Sequence, residues 1–358
     1  MIRVLVAEDS PTARALLVAM LEADPGIEVI ATASTGAEAV EMAERMSPDL
    51  ITMDVQMPVL DGLQATERIM RSSPCPIIIV TSQARESDVR LSLEATRAGA
   101  MLLLPKPEGP SSLHFAADQR QLVSMVKALA GVKVVRRWRG VAPVPVASES
   151  QKRNRPVESG DERRPRSTAR ATVVAIAAST GGPAALRDVL AVLPQEFAAP
   201  ILIVQHISKG FVDGLVKWLA ADSKLTVKAA VNGETARPGT AYVAPDGCHL
   251  EIRRTQSSGF RIVLASTPAV GSFRPSATRL FASAAEAAGK GALAVILTGM
   301  GDDGVVGLRD VQREKGTVIA QDEGSSVIFG MPREAIRAGV VNEVVSLQNL
   351  PARLAELT

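Results

Sequence analysis

Three residue types that together hydrolyse esters and amides stand just beyond apolar runs in the second half of the sequence. Ser179 follows TVVAIAA, His206 follows PILIVQ, and the pair Asp302 and Asp303 follows ALAVILTGMG. Serine becomes a nucleophile when histidine removes its proton, and a carboxylate orients that histidine and stabilises its charged form. If these runs are parallel strands, their carboxyl ends share one edge of a sheet, where the side chains can meet. The pattern predicts a hydrolytic site and leaves open which aspartate takes part.

The turn around Ser179, AIAASTGGPAAL, has a second interpretation as a phosphate-binding loop. Glycines permit close backbone approach, and the N-terminus of a helix attracts anions. The specific nucleotide-binding patterns GxGxxG and GxxxxGK[ST] are absent from this turn. Backbone amides at the start of the following helix could equally meet a developing oxyanion. The residues alone leave both a reactive serine and a nucleotide-binding turn open.

A second group of reactive residues lies at the ends of apolar runs in the first 107 residues. Glu8 and Asp9 follow the first run, Asp54 and Thr81 close the third and fourth, and Lys106 follows the fifth. Three carboxylates brought together repel one another unless a cation intervenes, and oxygen ligands suit Mg²⁺. Lys106 and Thr81 could then stabilise a phosphoryl group on Asp54. These residues predict a Mg²⁺-dependent phosphorylation site.

The elements that must position the acidic residues alternate between strands and helices. Five apolar runs, IRVLVA, IEVIATA, DLITMDV, PIIIVTS and AMLLLP, are separated by stretches of helical character. The first helix has Ser10 as a candidate cap, Pro11 at its first position and leucines at helical spacing. A five-stranded parallel sheet covered on both faces, the doubly wound arrangement, is the economical fold.

The alternation stops between about residues 128 and 170, where proline, serine and charge predominate. Residues 131–170 contain 11 Lys+Arg and 4 Asp+Glu, a surplus of +7, so the remainder of the +2 chain carries −5. The basic character therefore belongs to this linker. Because it lacks an aromatic-studded basic face or a helix-turn-helix, we expect a solvated spacer and no nucleic-acid binding.

Alternation resumes after the linker and predicts a second α/β domain. Residues 225–265, with LTVKAAV, GTAYVAP, CHLEIRR and FRIVLAS, indicate short strands or hairpins. A helix near residues 276–288 and the run ALAVILT restore the α/β pattern. The expected fold of this half is a mainly parallel sheet with a β-hairpin region. The predicted domains are residues 1–127, a linker over 128–170, and a catalytic domain over 171–358.

Composition indicates a soluble cytoplasmic protein that is not embedded in a membrane. The longest apolar stretches fall short of the roughly 20 residues that cross a bilayer, and MIRVLVAEDS is unlike an export signal. The two cysteines, Cys75 and Cys248, are far apart and are expected to be free thiols. The three histidines are too few and too scattered for a histidine-rich metal site. No cofactor is expected in the second domain.

The residues AEDSPTAR, MDVQMPVLDG, VTS and PKP together resemble the receiver domain of bacterial response regulators. The resemblance covers residues 1 to about 127. It implies that Asp54 is the phosphoacceptor and that Mg²⁺ is held by Asp9, Asp54 and the backbone carbonyl of Gln56. It further implies that Thr81 and Lys106 contact the phosphoryl group and that a sensor histidine kinase is the partner.

Two residues depart from the receiver pattern. Glu8 stands where the family usually has aspartate, and Leu103 stands where a switching aromatic residue is common. Glutamate still offers an oxygen ligand, so phosphorylation is expected to survive, with Glu8 among the metal-binding acids. The absent aromatic residue affects how the signal spreads from the phosphorylated site.

The second half resembles the catalytic domain of bacterial chemotaxis protein-glutamate methylesterases. The resemblance covers about residues 172–345, through AIAASTGGPAAL, VQHISKGF, YVAPDGCHLEI, FRPSATRLFASAA, ILTGMGDDGVVGLRD and AQDEGSSVIFGMPREAI. It implies Ser179 as nucleophile, His206 as general base and acid, Asp303 as its orienting partner and the backbone N–H of Met300 as an oxyanion donor. His249 is a residual candidate for the base, although its strand-like context favours a structural or surface role.

By this resemblance, the expected reaction is hydrolysis of γ-glutamyl methyl esters on the cytoplasmic helices of methylated chemoreceptors, giving glutamate and methanol. Deamidation of receptor glutamines is expected as well, and phosphorylation of the receiver is expected to activate the enzyme. Two alternatives are a nonenzymatic switch whose second half binds a nucleotide or protein, and a DNA-binding response regulator.

Overall fold

The computed structural model describes residues 1–82, 94–95, 98–131, 170–207, 210–256 and 259–358. Most of the predicted linker, residues 128–170, lies outside the described residues. The described residues form one α/β unit before this stretch and another after it, which confirms the predicted fold class.

Five parallel strands form the first sheet. They span Ile2–Ala7 (β1), Ile27–Ala33 (β2), Leu50–Met53 (β3), Ile77–Thr81 (β4) and Leu102–Pro105 (β5), and their order is β2-β1-β3-β4-β5. The helices of this unit span Pro11–Glu22 (α1), Gly36–Met46 (α2), Gly62–Ser72 (α3) and Phe115–Leu129 (α4). Helix α1 begins at Pro11 after Ser10, whose side chain accepts a backbone hydrogen bond from Ala13, so the predicted cap is confirmed.

Helices cover this sheet on both faces. Along β4, Ile77 and Ile79 belong to one apolar cluster, whereas Ile78 and Val80 belong to the other. Successive side chains of a strand point to opposite faces, so a continuous apolar run is the expected sequence of a strand buried on both sides. The runs that predicted the strands therefore reflect the doubly wound packing itself.

The second unit contains a seven-stranded parallel sheet. Its strands span Val173–Ala178 (β6), Ile201–Gln205 (β7), Thr226–Ala229 (β8), Thr240–Val243 (β10), Ala292–Ile296 (β13), Thr317–Gln321 (β14) and Glu343–Val345 (β15). A separate antiparallel sheet contains Thr235–Ala236 (β9), His249–Arg254 (β11) and Phe260–Ala265 (β12). The helices span Gly182–Leu190 (α5), Val212–Asp222 (α6), Ala277–Ala288 (α7), Val305–Arg313 (α8), Met331–Arg337 (α9) and Leu350–Leu357 (α10).

Strand β6 lies at the point where the strand order of the seven-stranded sheet reverses. The order is β15-β14-β13-β6-β7-β10-β8, so the chain moves from β6 to β7 on one side and later places β13 on the other. Connections that leave in opposite directions open a crevice at the carboxyl ends of the strands, where open α/β sheets bind ligands. The loops after β6, β7 and β13 therefore border one crevice.

The short strands between residues 225 and 265 divide between two sheets. Strands β8 and β10 pair in parallel and extend the main sheet beyond β7, whereas β11 and β12 form an antiparallel pair. The predicted hairpin region is thus confined to β11 and β12, because β8 and β10 are connected through β9 and not by a tight turn. Among the described residues, no helix has the length and apolar character needed to cross a membrane.

Candidate active site

Ser179 occupies a sharp turn between β6 and α5. Its backbone N–H donates to the carbonyl of Thr298 at 3.0 Å, and Gly182 donates back to the Ser179 carbonyl at 2.8 Å. Gly181 has a positive φ of 78°, and a β carbon there would lie 2.5 Å from that of Val327. Glycine is therefore required both for the backbone conformation and for the close approach. This strand-turn-helix geometry presents a side chain at the edge of the sheet, as in the nucleophile turns of hydrolases.

His206 follows β7 and lies beside Ser179 across the sheet. The register pairs Ala178 with Gln205, so Ser179 and His206 are the next residues on neighbouring strands. The His206 backbone N–H donates to the Ala178 carbonyl at 2.9 Å. No hydrogen bond joins the Ser179 hydroxyl to the His206 ring in the described structure. The fold thus brings the two residues together through their main chains.

Asp303 contacts the imidazole of His206 at Nε2. Oδ2 of Asp303 lies 2.9 Å from Nε2 of His206 and also accepts the backbone N–H of Ala277 at 2.7 Å. Oδ1 accepts the Ser276 hydroxyl at 2.8 Å and the Thr278 backbone N–H at 3.1 Å. The carboxylate therefore sits at the N-terminus of α7, which attracts negative charge.

Asp303 is the aspartate that touches the histidine, and its surroundings keep it ionised. Burial raises the pKa of Asp303, but hydrogen bonds from His206, Ser276 and Ala277 outweigh that effect and lower it to about 2. Asp302 is exposed. The spacing of the sequence did not distinguish these two aspartates, whereas their burial and contacts do.

An ionised Asp303 determines which nitrogen of His206 carries a proton. Because a carboxylate only accepts hydrogen bonds, Nε2 of His206 must be the donor of the 2.9 Å contact. In the neutral ring Nδ1 is then the basic nitrogen, and it is buried without a hydrogen-bond partner in the described structure. Ser179 and His206 are neighbours at the ends of β6 and β7. The arrangement therefore leaves Nδ1 available to receive a proton.

The loop after β13 brings Met300 to the same crevice. A β carbon on Gly299 would lie 2.7 Å from the β carbon of Ser179, so this loop passes directly beside the serine. The Gly299 carbonyl accepts hydrogen bonds from Gly330 and Met331, which fixes the peptide preceding Met300. Met300 is 40% exposed. The position suits the predicted oxyanion donor.

His249 lies in the core and does not reach the crevice as a base. The residue is fully buried, its Nδ1 accepts the backbone N–H of Ser276 at 3.2 Å, and its Nε2 lies 3.0 Å from the Pro268 carbonyl. Both ring nitrogens are thus engaged with main-chain groups. Of the two roles expected from its strand-like context, the surface role is wrong and the structural role fits.

The acidic residues of the first unit converge at the carboxyl edge of their sheet. Glu8, Asp9 and Asp54 offer carboxylate oxygens within 4.8 Å of one another. Lys106 Nζ lies 2.8 Å from Oε1 of Glu8 and 2.9 Å from Oδ2 of Asp54, and both acids are buried. The Lys106 backbone N–H donates to the carbonyl of buried Thr81 at 3.0 Å. Four predicted residues thus lie together, and Thr81 is held to them through the main chain of Lys106.

This acidic cluster has the properties of a divalent-cation site. Burial foremost, and repulsion from Asp54, raise the pKa of Glu8 despite its bond to Lys106. Burial lowers the pKa of Lys106, but its contacts with Glu8 and Asp54 outweigh burial. The pKa of Lys106 therefore lies above its ordinary value. Oε2 of Glu8 is buried without a hydrogen-bond partner among the described residues. Closely placed carboxylates with an unsatisfied oxygen fit Mg²⁺. Gln56, the fourth predicted ligand, follows Asp54 by two residues and is exposed.

Both halves of the chain match known protein families. Residues 174–354 match the model of the CheB methylesterase family, and residues 4–118 match that of the response regulator receiver domain. Protein-glutamate methylesterase/protein-glutamine glutaminase 4 of Myxococcus xanthus is 48% identical over 99% of this chain and 96% of that protein. The chain belongs to the CheB methylesterase family. It is a hydrolase with a receiver domain, which supports the main prediction over the nonenzymatic and DNA-binding alternatives.

Further relatives extend the CheB assignment. Protein-glutamate methylesterase/protein-glutamine glutaminase 3 of Anaeromyxobacter dehalogenans is 47% identical over 99% of this chain and 98% of that protein. The crystal structure of the Thermotoga maritima CheB methylesterase catalytic domain is similar to the second unit, with 39% identity and a TM-score of 0.51. That match covers 52% of this chain and 99% of the Thermotoga chain.

Sequence reasoning missed several polar residues that support the site of this CheB-family enzyme. The Gln205 side chain, 3% exposed, donates to the carbonyls of Ser179 and His206 at 2.8 and 2.9 Å. Gln321 accepts the Thr298 backbone N–H at 2.8 Å, and the Thr298 hydroxyl donates to the Thr180 carbonyl. A buried polar residue closing an apolar strand was the available signal at both glutamines.

Proposed function

We propose that this chain hydrolyses γ-glutamyl methyl esters on chemoreceptor cytoplasmic helices, and that it deamidates receptor glutamines at the same site. The observation that carries the proposal is the 2.9 Å contact between His206 and Asp303 beside the Ser179 turn. Relatives that match nearly the full chain are named protein-glutamate methylesterase/protein-glutamine glutaminase. Esters and primary amides both have a carbonyl carbon that a serine can attack, so one site serves both reactions.

In the proposed reaction, the Ser179 hydroxyl attacks the side-chain carbonyl carbon of the substrate while Nδ1 of His206 takes its proton. The Met300 backbone N–H stabilises the negative charge that develops on the carbonyl oxygen. The protonated histidine then gives its proton to the departing methoxide, and methanol leaves an acyl-serine ester. Water, deprotonated by the same nitrogen, attacks that ester, and His206 then gives the proton to the departing Ser179 oxygen, which releases glutamate and restores the free serine.

Asp303 stabilises the charged histidine in both steps. Its carboxylate accepts a hydrogen bond from the Nε2–H group, and its pKa of about 2 keeps it ionised at neutral pH. The aspartate therefore retains its charge while the imidazole gains and loses a proton at Nδ1. The side-chain amide of Gln205 donates hydrogen bonds to the backbone carbonyls of both Ser179 and His206, which holds the two residues in place.

In the receiver, Asp54 is the proposed phosphoacceptor. Glu8, Asp9, Asp54 and the backbone carbonyl of Gln56 would hold Mg²⁺, which supplies charge neutralisation for a phosphoryl group when bound. Lys106, whose Nζ lies 2.9 Å from Oδ2 of Asp54, would pair with the phosphoryl oxygens. The Thr81 hydroxyl would donate a hydrogen bond to the phosphoryl group. A sensor histidine kinase of the chemotaxis system would be the phosphodonor, and the proposed location is cytoplasmic.

Phosphorylation would control access to the catalytic crevice. We propose a receiver over residues 1–127, a linker over 128–170 and a catalytic domain over 171–358, with the unphosphorylated receiver covering part of the crevice. Ile328 supports this arrangement because it belongs to the same apolar cluster as the receiver residues Leu104 and Leu122. Its neighbour Val327 lies against Gly181, two residues from the nucleophile. Phosphorylation would shift the population toward an open crevice.

The direct test is methanol release from receptor-containing membranes carrying labelled methyl esters. We expect the full chain to release methanol, and a small-molecule phosphodonor with Mg²⁺ to increase the rate. A variant lacking residues 1–165 should show raised basal hydrolysis. Unchanged or lower activity of that variant would show that the receiver activates by contact and not by uncovering the crevice.

A further inference from the structure

An aromatic ring lies flat against the imidazole of His206. The ring centroids of Phe273 and His206 are 4.1 Å apart, and the two planes differ by 14°. Phe273 lies between β12 and α7 and is partly buried. The contact covers one face of the imidazole, whereas Asp303 touches its edge.

The segment around Phe273 is anchored on both sides. Phe273 and Val270 exchange two backbone hydrogen bonds of 3.0 and 3.1 Å, which close a tight turn before the ring. Three residues later, the Ser276 hydroxyl donates to Oδ1 of Asp303 and its N–H donates to buried His249. The phenyl ring is therefore held by the same short segment that holds the partner of His206.

A single hydrogen bond at one edge does not hold an imidazole in one plane, because the ring can tilt about that bond. A stacked neighbour opposes the tilt, since tilting moves the rings out of contact. The face of an aromatic ring also attracts a cation, so the contact strengthens when the imidazole accepts a proton. Both effects favour the geometry and charge that His206 needs during proton transfer.

We propose that Phe273 is a positioning residue of this hydrolase, which holds the His206 ring toward Ser179 and stabilises its protonated form. The proposal rests on the proposed function of His206 as general base. Because the ring acts through His206 and not through bound substrate, its removal should lower kcat and leave KM unchanged.

The test compares Phe273→Leu and Phe273→Tyr in the full chain, with phosphodonor and methyl-esterified receptor membranes. We expect Phe273→Leu to lower kcat about tenfold, and Phe273→Tyr, which keeps the aromatic face, to stay close to wild type. Phe260→Leu is the matched control, because it removes a ring from the apolar core of the same unit. This control should leave kcat unchanged once its folded fraction is taken into account.

NMR of histidine-labelled protein provides a readout that does not depend on turnover. The chain has three histidines, so each ring resonance is identified by a single substitution. Loss of the stacked ring should move the His206 ring-proton signals downfield in Phe273→Leu and leave His114 unmoved. Unmoved His206 signals, unchanged kcat in Phe273→Leu, or a loss in Phe273→Tyr equal to that in Phe273→Leu would each overturn the proposal. A wild-type chain that releases no methanol would instead refute the proposed function.

Discussion

Asp303 and His206 are joined at 2.9 Å through the same carboxylate oxygen that accepts the first backbone N–H of α7. The helix therefore holds the aspartate that orients the histidine in the proposed mechanism. Helix α7 thus holds Asp303 in place, and Asp303 in turn holds His206. Substitutions at this pair should separate the contribution to catalysis from the contribution to folding.

Asp303→Asn should lower kcat by about 10⁴-fold, because an amide facing Nε2 favours the wrong tautomer of His206. Asparagine keeps one carbonyl oxygen for the Ser276 hydroxyl and the Thr278 N–H, so the fold should persist. Asp302→Asn is the matched control, because Asp302 is the adjacent residue and is exposed. This variant should retain wild-type turnover. Methanol release measures both variants, and similar losses in the two would contradict the assignment of Asp303.

The lowered pKa of Asp303 predicts an acid-dependent contribution to stability. The folded-state value of about 2 lies below the ordinary 3.8, so the stabilisation is complete above about pH 4 and disappears as the pH falls through 2. The difference corresponds to about 2 kcal/mol in the free energy of unfolding. Urea denaturation of wild type and Asp303→Asn should show their stability gap narrowing by this amount between pH 5 and pH 2. A gap independent of pH would contradict the prediction.

Gln205→Met should weaken the catalytic unit and slow turnover. The substitution keeps the size of the side chain but removes the hydrogen bonds that Gln205 donates to the carbonyls of Ser179 and His206, although the Ser179 carbonyl keeps its bond from Gly182. We expect a loss of about 2 kcal/mol in the free energy of unfolding, together with lower kcat. Gln312→Met is the control, because Gln312 makes one exposed hydrogen bond to the Gly339 carbonyl in the same unit. Equal effects of the two substitutions on stability and kcat would rule out the bridging role.

The positions of the strands were predictable from the sequence, but the contacts between their ends were only partly so. Apolar runs marked β6, β7 and β13 because strands buried on both faces need such runs. His206 and Asp303 are 97 residues apart, and the choice of Asp303 depends on how the loop after β13 turns toward α7. Gln205 is visible in the sequence only as a polar residue that closes an apolar strand, which does not reveal its partners, and no local pattern indicates the contact of Phe273 with His206. The apolar core was therefore predictable from periodicity, whereas the polar and aromatic contacts that support the site became visible only in the structure.

Asp54→Asn should abolish stimulation by a phosphodonor and leave basal ester hydrolysis intact. The substitution removes the proposed phosphoacceptor and keeps a side chain of the same shape beside Lys106. Asp61→Asn is the control, because Asp61 caps α3 and asparagine caps a helix equally well. Methanol release with and without phosphodonor, together with retention of labelled phosphate, checks the result. Stimulation that persists in Asp54→Asn would place the phosphoryl group elsewhere.

The most direct test of the hydrolytic mechanism is methanol release by Ser179→Ala beside Thr180→Ala, with thermal unfolding as a check on folding. The two hydroxyls are adjacent in the same turn, but only Ser179 neighbours His206 across the sheet. The mechanism predicts that Ser179→Ala folds and releases no methanol above background, whereas Thr180→Ala remains active. Methanol release by Ser179→Ala at the wild-type rate would contradict it.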